Sequence, residues 1–124
     1  MEELSKQKCV PCEGGEEPMQ RTEAEEMLQK YPELEGWSIF QTQVKGKIAL
    51  ALKKQFKFKP AMKGADFVHA LWQKAEEQGH HPDIELKYGR VNVIWTTHAI
   101  AGLSMNDFIM AAATEEVYEK FSNP

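Results

Sequence analysis

The sequence predicts an α+β fold: a four-stranded antiparallel sheet with its helices packed on one face, in the order α-β-β-α-β-β-α. Three observations carry that prediction. Apolar and polar residues alternate in two pairs of short runs, each pair joined by a glycine-containing turn. Between and around those pairs, apolar residues recur at helical spacing. A 124-residue chain with 42% hydrophobic and 27% charged residues is also long enough to bury a core without disulfide staples.

Residues 1–20 carry Cys, Pro, Gly and Glu without periodicity and read as an irregular arm, leaving 21–124 as one domain. In TEAEEMLQKYP, Thr22 with Glu25 fits a capping box, early glutamates suit the helix dipole, and Pro32 stops a first helix over about 23–30. Trp37 and Ile39 then alternate with polar neighbours, and Lys45-Gly46 supplies a turn. Ile48, Leu50 and Leu52 share one face of the return strand, with Ala49 and Ala51 opposite. Phe67, Val68, Leu71, Trp72 and Ala75 mark a second helix from Pro60 to about Gln78, ended by Gly79 and Pro82. Ile84, Leu86 and Tyr88 alternate, Gly89-Arg90 turns the chain, and Val91, Val93 and Trp95 return. TTHAIAGLS is a connection with Gly102 as its breaker. Ser104 and Asp107 resemble a cap, and Ile109, Ala113, Val117 and Phe121 repeat every four residues in a third helix.

A net charge of -4 and a pI near 5.6 leave no electrostatic footprint for nucleic acid. The lysines at 53, 54, 57 and 59, interleaved with Phe56 and Phe58, read as the solvated decoration of an edge strand. No apolar run is long enough to span a membrane. The acidic N-terminus lacks the apolar stretch of a secretory signal, so the expected compartment is the cytoplasm, with reduced thiols. Cys9-Val-Pro-Cys12 is one CxxC pair without the βαβ context of a redox motif.

The chemistry gathers in the histidines. Strands three and four pair as a hairpin, so residues just before strand three lie beside residues just after strand four. That topology brings His80, His81 and His98 to one end of the sheet, where helix two ends with Glu76 and helix three begins with Asp107. His69 lies mid-helix beside Val68 and reads as structural or solvated. Imidazole exchanges protons near neutral pH, and a neighbouring carboxylate fixes its tautomer. Three histidines also suit zinc. However, adjacent side chains in an extended segment diverge, so His80 and His81 are poorly placed to share one ion, and HExxH or a second CxxC is missing. No metal is therefore expected. A proton-shuffling elimination or isomerisation is the reaction class these residues allow.

The segment AEEQGHHPDIELKYGRVNVIWTTHAIAGLSMND, residues 75–107, resembles the signature of the pterin-4a-carbinolamine dehydratase family. The motif residues are Glu76, His80-His81-Pro82, Tyr88, Val91, Thr97-His98, Gly102-Leu103-Ser104 and Asp107. The resemblance implies dehydration of 4a-hydroxytetrahydrobiopterin to quinonoid dihydropterin in tetrahydrobiopterin recycling. It also implies a small-molecule pterin as partner, no cofactor, and a homodimer or homotetramer. By carry-over, His80, His81 and His98 are catalytic. His81 and His98 form the proton-transfer pair and His80 positions the substrate. Thr96, Thr97 and Glu76 contact the pterin, and Asp107 and Pro82 support the site. Two alternatives stand beside this reading: a non-catalytic dimerisation or coactivator-type module using an apolar helical surface, and a dehydratase for another, molybdopterin-related pterin.

Overall fold

A computed structural model describes residues 4–9 and 17–122. Four strands, β1 (Ser38–Val44), β2 (Lys47–Lys57), β3 (Asp83–Lys87) and β4 (Arg90–Trp95), form one antiparallel sheet in the order β1-β2-β4-β3. Three helices, α1 (Arg21–Lys30), α2 (Met62–Gln78) and α3 (Met105–Ser122), complete the expected element order. Directly paired residues share a face, so the registers Leu52↔Trp95, Phe56↔Val91 and Ile84↔Val93 line up one apolar side. That side meets Phe67 and Leu71 of α2 and Phe108 and Met110 of α3 in the core. The Trp95 indole donates to Thr114 Oγ1 of α3 at 3.0 Å, so the largest core side chain leaves no polar atom unpaired.

Local chemistry explains the ends of these elements. Lys45 and Gly46 both take positive φ, 53° and 79°, as a two-residue β1–β2 hairpin requires. Helix α2 ends in a Schellman motif. Gly79 adopts φ 67°, its N–H reaches Glu76 O at 3.4 Å, and His80 N–H reaches Ala75 O at 3.2 Å. The backbone of His80 is thereby tied to the helix end.

Several local expectations need correction. Helix α1 starts at Arg21, with Gln20 as its cap and Glu23 accepting the Gln20 N–H at 3.2 Å; Thr22 is already inside the helix. The β3–β4 turn is Tyr88-Gly89, with Gly89 taking the positive φ, so Tyr88 leaves the strand pattern and is exposed. β2 lies between β1 and β4 in the sheet, but only Leu52 and Lys53 are paired on both sides. Residues 54–57 pair with β4 alone, so Lys54 and Lys57 do stand on an open edge. There Lys54 turns to Glu115 of α3 at 2.8 Å, while Lys53 lies over the Phe40 ring. The alternation in β2 holds, but its burial inverts at one end: Ile48 is 71% exposed while Ala49 and Ala51 are buried. Gly102 is needed for a close approach, because a Cβ there would collide with Pro18.

The described part of the N-terminal arm is packed on the domain. Leu4, in a 3-10 turn over Leu4–Lys6, is fully buried against the core. Met19 N–H donates to Leu103 O at 2.8 Å. Cys12 lies outside the described residues.

Candidate active site

The junction after α2 and the loop after β4 meet at one end of the sheet. The β3–β4 register places Asp83 opposite Ile94, so residues 80–82 continue beside Thr96 and His98. Reciprocal Thr97–Gly102 backbone bonds of 2.8 and 3.3 Å pinch residues 98–101 into a short 3-10 loop. The pinch holds Thr97 inside and leaves His98 exposed at the rim. The result is a cavity of about 550 Å³, within the range of small-molecule sites, lined by His80, His81, Pro82, Thr96, Thr97 and His98.

The three imidazoles converge as expected, but their settings differ. His80 Nε2 lies 2.7 Å from Asp107 Oδ1, and its ring stacks on Trp95 at 5.5 Å between centroids and 17° between planes. Asp107 is fully buried and is held from three sides. Its Oδ2 accepts from Thr97 Oγ1 at 2.8 Å and from the Ser104 N–H at 2.9 Å. Thr97 has one hydroxyl proton and gives it to Asp107, so Ser104 Oγ donates to Thr97 Oγ1 across their 2.8 Å contact. The carboxylate accepts the Nε2–H of His80, which in the neutral ring leaves Nδ1 as the acceptor. Asp107 is also the third residue of α3 and reaches back to its cap, Ser104, so one carboxylate both starts the helix and fixes the imidazole.

His81 belongs to a looser arrangement. Its ring lies 4.8 Å from Trp72, and its Nε2 is 3.4 Å from Glu76 Oε1. Rings adjacent in sequence therefore have different partners, as divergence in an extended segment requires. Glu76 is exposed and does not line the cavity; it touches His81 from outside. Asp107 lies behind the His80 wall. Thr96 Oγ1 donates to Leu50 O at 2.8 Å, which anchors the β4 exit to β2.

Several lining residues lie outside the sequence expectation. Trp72, placed by periodicity on the core face of α2, is 42% exposed and forms a wall. Its position four residues before Glu76 is an available signal, because i and i+4 side chains share a helix face. Asp83 lines the cavity beside Pro82. Cys9 contributes from the arm, with its N–H on Gln78 Oε1 at 3.0 Å and its Sγ 3.9 Å from Asn106 O. Nothing in the local pattern of an aperiodic arm signals such a contact.

Residues 17–117 match the family model described as pterin 4 alpha carbinolamine dehydratase. The chain belongs to that family. A Cupriavidus pinatubonensis protein named "Putative pterin-4-alpha-carbinolamine dehydratase 1" is 40% identical over 116 residues, covering 94% of this chain and 92% of its own. A Halorhodospira halophila protein of the same family name is 41% identical over 112 residues, covering 90% and 94%. Among solved structures, a transcriptional coactivator/pterin dehydratase from Brucella melitensis superposes with a TM-score of 0.65 at 29% identity, covering 81% of this chain and 97% of its own. A pterin dehydratase-like protein described as a RuBisCO assembly factor in the alpha-carboxysome shares the fold, with a TM-score of 0.55 at 22% identity over 68% of this chain and 92% of its own.

Proposed function

We propose that this protein dehydrates 4a-hydroxytetrahydrobiopterin to quinonoid dihydropterin, the step that returns an oxidised pterin to tetrahydrobiopterin recycling. The observation that carries the reading is three imidazoles on one small cavity, one of them held to a buried aspartate and two accessible. In the reaction the C4a–O bond breaks, the hydroxyl leaves as water after taking a proton, and C4a=N5 forms as N5 gives up its proton. One donor and one acceptor on the two sides of the departing group suffice. His81 and His98 are the pair we assign to these transfers, since both line the cavity and neither is locked to a buried carboxylate. His80, fixed through Asp107, orients the pterin. Thr96 and Thr97 supply wall contacts, Glu76 steadies His81 and Pro82 sets the bend.

The test is turnover of synthetic 4a-hydroxytetrahydrobiopterin, followed as quinonoid product, by EDTA-treated protein. Each general acid or base contributes about 10²–10⁴-fold, so His81→Ala and His98→Ala are expected to fall by that much. Full activity in both variants overturns the assignment. Light scattering checks the homodimer or homotetramer that goes with the family reading, and fractionation of the source cells checks the cytoplasmic location.

A second reading, a protein-binding module, is favoured by the coactivator description of the Brucella melitensis protein. It predicts a function indifferent to His81→Ala and His98→Ala, so the same variants separate the two.

A further inference from the structure

A second cavity, of about 410 Å³, adjoins the candidate site and shares His98 and Ala99 with it. It runs toward the β1–β2 hairpin. Ile48 and Ile100 give it apolar walls, and Lys45 and Lys47 stand at its hairpin end. No acidic residue lines it among the described residues. Both lysines are exposed, and neither ammonium forms an ion pair with a described residue. In a chain of net charge -4, two such cations on a groove that opens from the site are a local reversal of sign. Ile48 is the other anomaly, a large apolar side chain left 71% exposed where its own strand buries two alanines.

We infer that this groove is a subsite for the substituent on pterin C6, and that it selects substituents ending in an anion, a phosphate ester or a carboxylate. The inference rests on the dehydratase reading for the position of the ring. C6 is bonded to N5, and N5 is bonded to the reacting C4a. A substituent on C6 therefore departs from the ring next to the reaction centre, where His98 stands. His98, with its neighbour Ala99, joins the two cavities. A carbon chain leaving at that point runs along Ile48 and Ile100, and its terminus arrives between the lysines. The apolar walls take the chain and the ammonium groups take the charge, a division of labour usual in small-molecule sites.

Calorimetric titration of the full-length protein tests this without depending on turnover, using two non-reacting 7,8-dihydropterins. One carries a 6-methyl group and the other a 6-substituent of a few carbons ending in a phosphate monoester. Exposed lysines predict tighter binding of the phosphate ligand by roughly 3- to 10-fold. That preference disappears near 1 M salt, where the screening length falls to about 3 Å. In the double variant Lys45→Gln/Lys47→Gln the preference shrinks to within about 2-fold. A matched ligand ending in a carboxylate shows which anion the lysines favour. Equal affinity for the methyl and phosphate ligands in the wild type, binding of neither, or a preference that survives in the double variant overturns the subsite. Turnover of the 6-methyl carbinolamine is measured in parallel. Its absence, with the binding preference intact, sinks the dehydratase reading and leaves the anion-selective groove standing.

Discussion

The two sides of the cavity are built on opposite plans. On one side His80 is clamped between Trp95 and Asp107, and behind it Ser104, Thr97 and Asp107 pass hydrogen bonds in a single direction. On the other side His98 stands exposed on a pinched loop, and His81 is steadied by an exposed glutamate and the face of a tryptophan. A buried network can hold one orientation because every donor and acceptor is satisfied. An exposed imidazole keeps access to water and substrate at the cost of definition. The contrast teaches that a fixed and an accessible imidazole can be neighbours in sequence, and that the difference follows from the burial of their partners. The proposed split between positioning and proton exchange builds on it.

The largest expected effects separate the two sides by readout. His98→Ala removes an exposed side chain from the rim and should leave the melting temperature nearly unchanged, with a stability change within about 0.5 kcal/mol. Its turnover rate should fall by roughly 10²–10⁴-fold. His80→Ala, by contrast, leaves Asp107 Oδ1 buried without its partner and opens space beside Trp95. It should lose about 2 kcal/mol of stability as well as activity. Thermal melts beside steady-state kinetics decide this, and equal melting temperatures for the two variants would erase the distinction.

Asp107→Ala comes next, because it strips the acceptor from the His80 ring, the Thr97 hydroxyl and the Ser104 N–H together. The expected loss is about 3 kcal/mol, read by chemical denaturation. Asp107→Asn is the sharper variant. It keeps the volume but offers one acceptor oxygen where three donors converge, and turns an amide N–H toward donors. Its turnover should drop while the fold persists, since a positioning group has lost its anchor.

Much of this is legible in the sequence, and the failures share a cause. Alternation and glycine turns specify the sheet, and hairpin topology alone brings His80, His81 and His98 together, because all three sit within a few residues of paired strands. Trp72 and Cys9 are not legible. Trp72 fits the apolar stripe of α2 yet belongs to the cavity wall, since periodicity marks a face but not where that face ends. Cys9 reaches the site through an arm that has no period at all. α3 shows a related effect. Its Ala111, Ala112, Ala113 and Thr114 are all buried, because the sheet covers one side while Leu4 and its neighbours cover another. A helix covered on more than one side carries no single stripe to read.

A smaller effect tests whether the junction itself holds the two plans apart. Gly79 sits at φ 67°, and a Cβ built there meets nothing within 4 Å. Gly79→Ala therefore adds no clash, and its cost is the left-handed backbone alone, about 1 kcal/mol. If the Schellman turn only ends the helix, KM and turnover should change no more than the stability loss implies, because Asp107 and Trp95 still fix the His80 ring. A drop in turnover of about two orders of magnitude, with a normal melting temperature, would instead make the backbone the positioning element.

The smallest effect lies at Glu76. Its carboxylate is exposed and 3.4 Å from His81 Nε2, a geometry worth about 0.2–1 kcal/mol at most. Glu76→Gln keeps the shape and removes the charge, so stability should be unchanged within error and activity should fall by less than about 5-fold. The residual loss should also fade as salt is raised toward 1 M, where the screening length falls to about 3 Å, comparable to the separation of this exposed pair. This sets Glu76 against Asp107: two carboxylates, each beside a histidine, differ in burial, and the buried one should dominate. A loss of about 100-fold or more in Glu76→Gln, persisting at high salt, would mean that Glu76 handles a proton or contacts the pterin directly. The exposed side would then have its own fixed anchor, and burial would cease to explain the division between His80 and His81.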